Sequence, residues 1–113
     1  MRDKRGVIAD LADPAPLFAA LGDSTRMRIV ARLCEAGPLS IVRLTRGARI
    51  SRQAITKHLR VLESAGIVHC SRTGRESRFE FDPEPMEEMK RYLNLVSEQW
   101  DQALSRLKSF VER

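Results

Sequence analysis

From Glu84 to the end of the chain nothing interrupts a helix. Met86, Met89, Leu93, Val96, Trp100, Ala103, Leu107 and Phe110 recur at alternating spacings of three and four, a seven-residue apolar repeat held for nearly four heptads. Glu84, Glu87 and Glu88 near its start suit the positive end of the helix dipole. Such a helix spans roughly 40 Å at 1.5 Å per residue, whereas a domain of about this size has a radius of gyration of only about 13 Å. A chain of 113 residues has room for a single domain, 1–113, with 84–113 as a long helix inside it. That domain cannot cover the whole stripe, and a second copy of the same helix is the simplest cover. A homodimer held through Met89, Leu93, Val96, Trp100, Ala103, Leu107 and Phe110 is therefore expected.

The charge is as unevenly placed as the apolar residues. The formal net charge is +5. Residues 40–81 carry nine Lys/Arg against three acids, while residues 1–39 are nearly balanced and residues 82–113 are net acidic. From Ser40 to Leu62 there are six cations and no acid. A concentrated positive face of this kind points to a polyanionic partner, double-stranded DNA above all.

The elements around that run give it a shape. Asp13-Pro14 opens a short first helix with Leu17, Phe18 and Leu21 on one side and Gly22 as its stop. Asp23 caps a second helix to about Ala36, with Met27, Ile29, Val30 and Leu33 turned inward, and Gly37-Pro38 ends it. Ser40 caps a short third helix containing Ile41, Val42 and Leu44. After a turn at Gly47–Ile50, Ser51 opens a fourth, in which Ile55, Leu59 and Leu62 form the buried side, and Gly66 terminates it. Two short helices joined by a tight turn, the second basic outside, make a helix-turn-helix. The period then changes: Ile67–Arg72 and Ser77–Phe81 read as strands of a hairpin with a basic tip, a wing. The fold expected is mainly α with a small β-hairpin, in the order α1-α2-α3-α4-β-β-α5, a winged helix-turn-helix.

The residue types on the fourth helix match what a major groove asks for. Arg suits guanine O6 and N7, Gln suits adenine N6 and N7, and Thr suits a thymine methyl or a phosphate. Arg52, Gln53, Thr56 and Lys57 supply that set in two turns. Arg60, Arg43 and Arg46 are better placed for phosphates, Ser40 lies with Arg43 at the start of the third helix, and Arg72, Arg75 and Arg78 would carry the wing to the backbone. His58 falls at the margin between the buried and outer sides, where a structural or backbone-contacting role outweighs a catalytic one.

Other chemistries find no foothold. No Ser/His/Asp, Cys/His or paired-carboxylate arrangement and no glycine-rich phosphate loop is visible, so no enzyme activity and no cofactor are expected. Cys34 and Cys70 are too few for a disulfide framework, fit a reducing cytoplasm, and read as small buried fillers. The N-terminal stretch MRDKRGVIADLAD is broken by Asp10 and Asp13, so neither a secretory signal nor a membrane span is expected.

The string ISRQAITKHLRVLESAGIV, preceded by FAALGDSTRMRIVARL and followed by GRESRFEF, resembles the ArsR-type winged-helix repressors. The resemblance covers Leu17 to Phe81. It implies that Ser51, Arg52, Gln53, Thr56, Lys57 and His58 lie at or near DNA, and that dimerisation uses the first helix, with Leu17, Phe18 and Leu21, together with the last. The departures are informative. Metal-sensing members carry a Cys-x-Cys in the third helix or Asp/His/Glu ligands in the last, whereas Leu39–Leu44 holds neither Cys nor His and the last helix has no histidine. The resemblance thus implies a repressor without the recognised metal sites, whose inducer the sequence does not name. Two alternatives remain open: a protein-interaction module pairing through the heptad helix, and a redox-responsive repressor switching on Cys34 or Cys70.

Overall fold

The computed structural model describes residues 13–112. The N-terminal stretch and Arg113 lie outside the described residues. Among the described residues, five helices and three short strands follow in the order α1 (Ala15–Leu21), α2 (Ser24–Ala36), β1 (Leu39–Ser40), α3 (Ile41–Thr45), α4 (Arg52–Ser64), β2 (Val68–Thr73), β3 (Glu76–Phe81) and α5 (Pro83–Val111).

The helix ends are set by local chemistry. The Asp23 carboxylate accepts from the backbone N–H groups of Thr25 (2.9 Å) and Arg26 (3.0 Å), giving α2 its cap. Ser40 Oγ accepts from Arg43 N–H, Ser51 Oγ from Ala54 N–H, and Asp82 from Glu84 N–H, so α3, α4 and α5 start in the same manner. α1 begins one residue later than expected: Pro14 occupies the cap position without a side-chain bond, while Asp13 accepts from Ala15 N–H. Beyond the end of α4, Gly66 adopts φ +79°, a left-handed conformation that an L-residue would strain to reach.

The sheet order is β1-β3-β2, all antiparallel. The hairpin is longer than the sequence indicated, closing on Thr73 opposite Glu76 with Gly74 at φ +65° as the first of two turn residues. The third strand is an addition: Leu39 pairs with Phe79 and Ser40 with Arg78. This pairing ties the entry of α3 to the wing, and two residues are too few to show a period in the sequence.

One core holds these layers. Ile29 and Leu33 of α2, Leu44 of α3, Ile55, Leu59 and Leu62 of α4, Ile67, Val68 and Phe79 of the hairpin, Leu17 and Ala20 of α1 and Met89 of α5 form a continuous buried cluster. Met27, expected to face inward, is exposed, as is Val42. Each lies two residues from a buried partner, Ile29 or Leu44, and two helical steps are 200° of rotation, which carries them to the opposite side. Cys34 and Cys70, expected as buried fillers, are both exposed and unbridged. Among the described residues no helix is long and apolar enough to cross a membrane.

Among the described residues, α5 joins the core at its beginning. Met86 and Met89 join the core, and Phe18 of α1 meets Tyr92 edge-on with ring centroids 5.9 Å apart. Beyond that point Leu93, Val96, Trp100, Leu107 and Phe110 are exposed, and the described residues have a radius of gyration of 18.9 Å and a longest extent of 66 Å.

Candidate nucleic-acid interface

The buried stripe of α4 decides what its other side presents. Relative to Ile55, Leu59 and Leu62, the 100° helical step puts Gln53, Lys57 and Arg60 opposite, with Arg52 and Thr56 on one flank. Gln53, Lys57, Arg60, Arg52 and Ser51 are exposed and Thr56 half-buried, so the helix offers amide, ammonium and guanidinium groups in two successive turns. The Thr56 hydroxyl donates to Arg52 O at 2.9 Å and is thereby left as an acceptor only. Arg43 and Arg46, on α3 and just beyond it, are exposed as well.

One expected contact is corrected. Ser40 is 4% exposed, its hydroxyl spent on capping α3 and its backbone paired with Arg78, so it supports the interface from inside. His58 lies on the flank of α4 that faces α2, where Arg26 Nη1 donates to its Nδ1 at 3.3 Å. The Asp23 carboxylate sits 3.9 Å from the same nitrogen, beyond hydrogen-bond reach.

The residues that hold α4 and α3 in place were not visible as functional from the sequence. Arg26 donates through Nε to Ala20 O and through Nη2 to Ala19 O, closing the carbonyl end of α1 while touching His58 of α4. One signal was available: a cation in the first turn of a helix opposes the dipole, and Arg26 sits in the first turn of α2, so another partner had to compensate it. Arg32 donates to Leu44 O at 2.7 Å and to Arg43 O at 2.9 Å, closing the carbonyl end of α3. These partners are up to 32 residues away in sequence. The backbone N–H of Arg26 holds the Asp23 carboxyl below its usual range, and the N–H of Thr25 and the positive charge of Arg26 act in the same direction.

At the wing, Arg72, Arg75 and Arg78 are all exposed. Glu76 accepts from Arg78 at 3.3 Å, while among the described residues Arg72 and Arg75 have no carboxylate partner. The base of the wing is anchored by Asp82, whose Oδ2 lies 2.6 Å from His69 Nε2 and whose backbone N–H donates to Ile67 O. The Glu84 N–H, followed by the His69 hydrogen bond, keeps the Asp82 carboxyl low.

The residues expected at a dimer contact divide into three sets. Leu17 and Met89 are already buried within their own protomer, so they have little area left for a partner; Phe18, Leu21 and Ala103 are half-buried. Leu93, Val96, Trp100, Leu107 and Phe110 are exposed, Trp100 at 65% and Phe110 at 70%, and Leu104 and Val111 extend the same surface.

Comparison with known proteins agrees with this geometry. Residues 21–71 match the family described as helix-turn-helix domain, spanning α2 to the middle of β2. The chain is 42% identical over 79 residues to the uncharacterized HTH-type transcriptional regulator YuzN of Bacillus subtilis, covering 65% of this chain and 86% of that protein. It is 34% identical over 92 residues to the HTH-type transcriptional regulator Rv2034 of Mycobacterium tuberculosis, covering 81% of this chain and 82% of that one. Among solved structures, an ArsR-like transcriptional regulator from Rhodococcus sp. RHA1 superposes with a TM-score of 0.75 at 34% identity, over 93% of this chain and 95% of that one. These relatives are regulators and not enzymes. With its basic α4, its wing and these relatives, the chain belongs to the ArsR-type winged helix-turn-helix family and is a DNA-binding transcriptional regulator.

Proposed function

We propose that this regulator acts in the cytoplasm as a homodimeric repressor that senses no metal, each copy reading one half of a two-fold symmetric operator. The observation that carries the reading is the exposed apolar face of α5 on the same molecule as the cationic face of α4. Leu93, Trp100, Leu107 and Phe110 are each half or more exposed. Covering what remains open on both copies is worth on the order of 10 kcal/mol at about 1.5–3 kcal/mol per fully buried side chain. Association costs about 4–15 kcal/mol, so the two terms are of similar size and the dimer needs the full length of the stripe. The lack of Cys or His in Leu39–Leu44 and of His in α5, where metal-sensing members carry their ligands, supports the part of the reading that concerns metal.

In this dimer Gln53, Arg52 and Thr56 would read base edges, with Lys57 beside them, while Arg60, Arg43, Arg46, Arg72 and Arg75 would grip phosphates. The test is selection of bound fragments followed by footprinting. Two inverted half-sites with centres one helical turn apart, about 10–10.5 base pairs, are expected; equal affinity for promoter and random DNA would remove the reading. Deleting α5 is a poor test of dimerisation, because Met86 and Met89 belong to the core. Substitutions at Trp100 and beyond test the stripe and leave the core intact.

A further inference from the structure

A concave groove of about 590 Å³ opens behind the helix-turn-helix, between α2 and the connection from α3 to α4. Four arginines line it: Arg28 and Arg32, one helical turn apart on α2, and Arg46 and Arg49 on the connection. No carboxylate is among the lining residues, and among the described residues no ion pair neutralises Arg28, Arg46 or Arg49. Arg32 is half-buried and fixed by its two bonds to the carbonyls of Leu44 and Arg43, so one positive charge is held rigidly at the wall. The floor is apolar, built from Ile29, Leu44, Ile50 and Ile55.

Like charges gathered around a groove repel one another, and a bound anion relieves that repulsion. The volume falls within the roughly 300–1,000 Å³ of small-molecule sites, which combine an apolar lining with a few placed polar groups. A duplex backbone fits poorly here, since it is convex on this scale and its phosphates gain nothing from an isoleucine floor.

We propose that this groove is a binding site for a small organic anion with an apolar body, such as an aryl or medium-chain carboxylate or sulfonate. The head group pairs with Arg28 and Arg49 while the body lies on Ile50 and its neighbours. The wall of the groove is the segment that hands α3 to α4, and Ile55 in its floor is the first buried residue of α4. A molecule wedged there changes how α4 stands on α2 and hence how Gln53 and Lys57 meet the groove of DNA. That consequence rests on the DNA-reading role of α4; the binding itself does not.

The test uses the full chain and 1-anilinonaphthalene-8-sulfonate as a fluorescent probe, with decanoate as competitor and uncharged N-phenyl-1-naphthylamine as control. Saturable binding of one probe per chain is expected, displaced by decanoate, at least tenfold weaker in the Arg28→Ala/Arg49→Ala variant and largely restored by Arg28→Lys/Arg49→Lys. Both pairs lie on the surface, and circular dichroism checks that each variant is folded. Because α5 also exposes apolar side chains, Trp100→Ser is measured in parallel and should leave probe affinity unchanged. The proposal is overturned if the arginine variants bind the probe as wild type does, if Trp100→Ser abolishes binding, if the neutral control binds equally well, or if short duplex DNA but not decanoate displaces the probe. Operator affinity is measured separately without probe, so a chain that binds DNA but no organic anion overturns this inference alone, and one that binds the anion but no DNA overturns the other.

Discussion

Helices α4 and α5 are both amphipathic, yet they use their two faces in opposite ways. α4 is 13 residues long, short enough for its whole apolar side to be covered by α2, α3 and the hairpin: Ile55, Leu59 and Leu62 are at most 2% exposed. What it offers to the outside is polar and cationic. α5 is 29 residues long, so the core covers only its first turns, and the remainder carries an apolar face into solvent. Periodicity alone does not say whether a helix faces its own core or another molecule. Length measured against the size of the domain does, and on the proposed reading it separates a surface for DNA from a surface for another copy of the chain.

The contrast can be broken most sharply with one substitution made in each helix. Leu59→Ala in α4 should cost about 2–5 kcal/mol in chemical denaturation, because it empties a fully packed site. Leu107→Ala in α5, measured under dilute conditions where the chain is monomeric, should change stability by less than about 0.5 kcal/mol. Equal costs at the two sites would mean that α5 is buried within the protomer after all.

A second test moves the contrast to association. Trp100→Ser should weaken self-association by about 2–3 kcal/mol, some thirty- to over a hundredfold, read by sedimentation equilibrium, since large aromatic side chains dominate interfaces of this kind. Leu17→Ala should act on protomer stability first, because that residue is already covered.

On the DNA side, Gln53→Ala should relax preference at one base pair by about 1–3 kcal/mol while leaving affinity for other sequences nearly unchanged. Arg60→Ala should weaken all sequences alike and flatten the salt dependence by about one phosphate contact per protomer. The reverse assignment, a salt effect at Gln53 and base preference at Arg60, would rotate α4 in the groove.

The smallest expected effect concerns how α4 is held. Asp23→Ala removes the cap of α2 and should lower the denaturation midpoint slightly. The Asp23 carboxyl titrates below its ordinary value of 3.8 in the folded chain, chiefly because it accepts the Arg26 N–H, and Asp82 is lowered through Glu84 N–H and His69. The stabilisation from both is therefore fully present above about pH 4 and lost as the pH falls below it. Asp23→Asn should flatten that acid limb in a pH series of denaturation midpoints.

The elements that were legible in the sequence share one property: their signal is local. Ser51 followed by Ile55, Leu59 and Leu62 states a cap and a face within twelve residues, and the heptads of α5 and the Gly74 turn are equally self-contained. What escaped depends on distant partners. β1 exists only because Phe79 and Arg78 return to it almost forty residues later, and the same pairing buries Ser40, which from the sequence belonged to the DNA surface. Arg26 and Arg32 escaped for the same reason, since each acts across elements, on a carbonyl end or on a neighbouring helix. The cationic face could thus be read from spacing, while the scaffold that aims it could not.

Sedimentation equilibrium of the full chain at micromolar concentration, with and without Trp100→Ser and Phe110→Ser, tests most directly whether α5 pairs two copies. Wild type should run at twice its 12.9 kDa chain mass, and the doubly substituted chain, still folded by circular dichroism, at the monomer mass with a matching loss of operator affinity. A wild-type chain that stays monomeric at tens of micromolar, or a variant that still dimerises, would contradict the account.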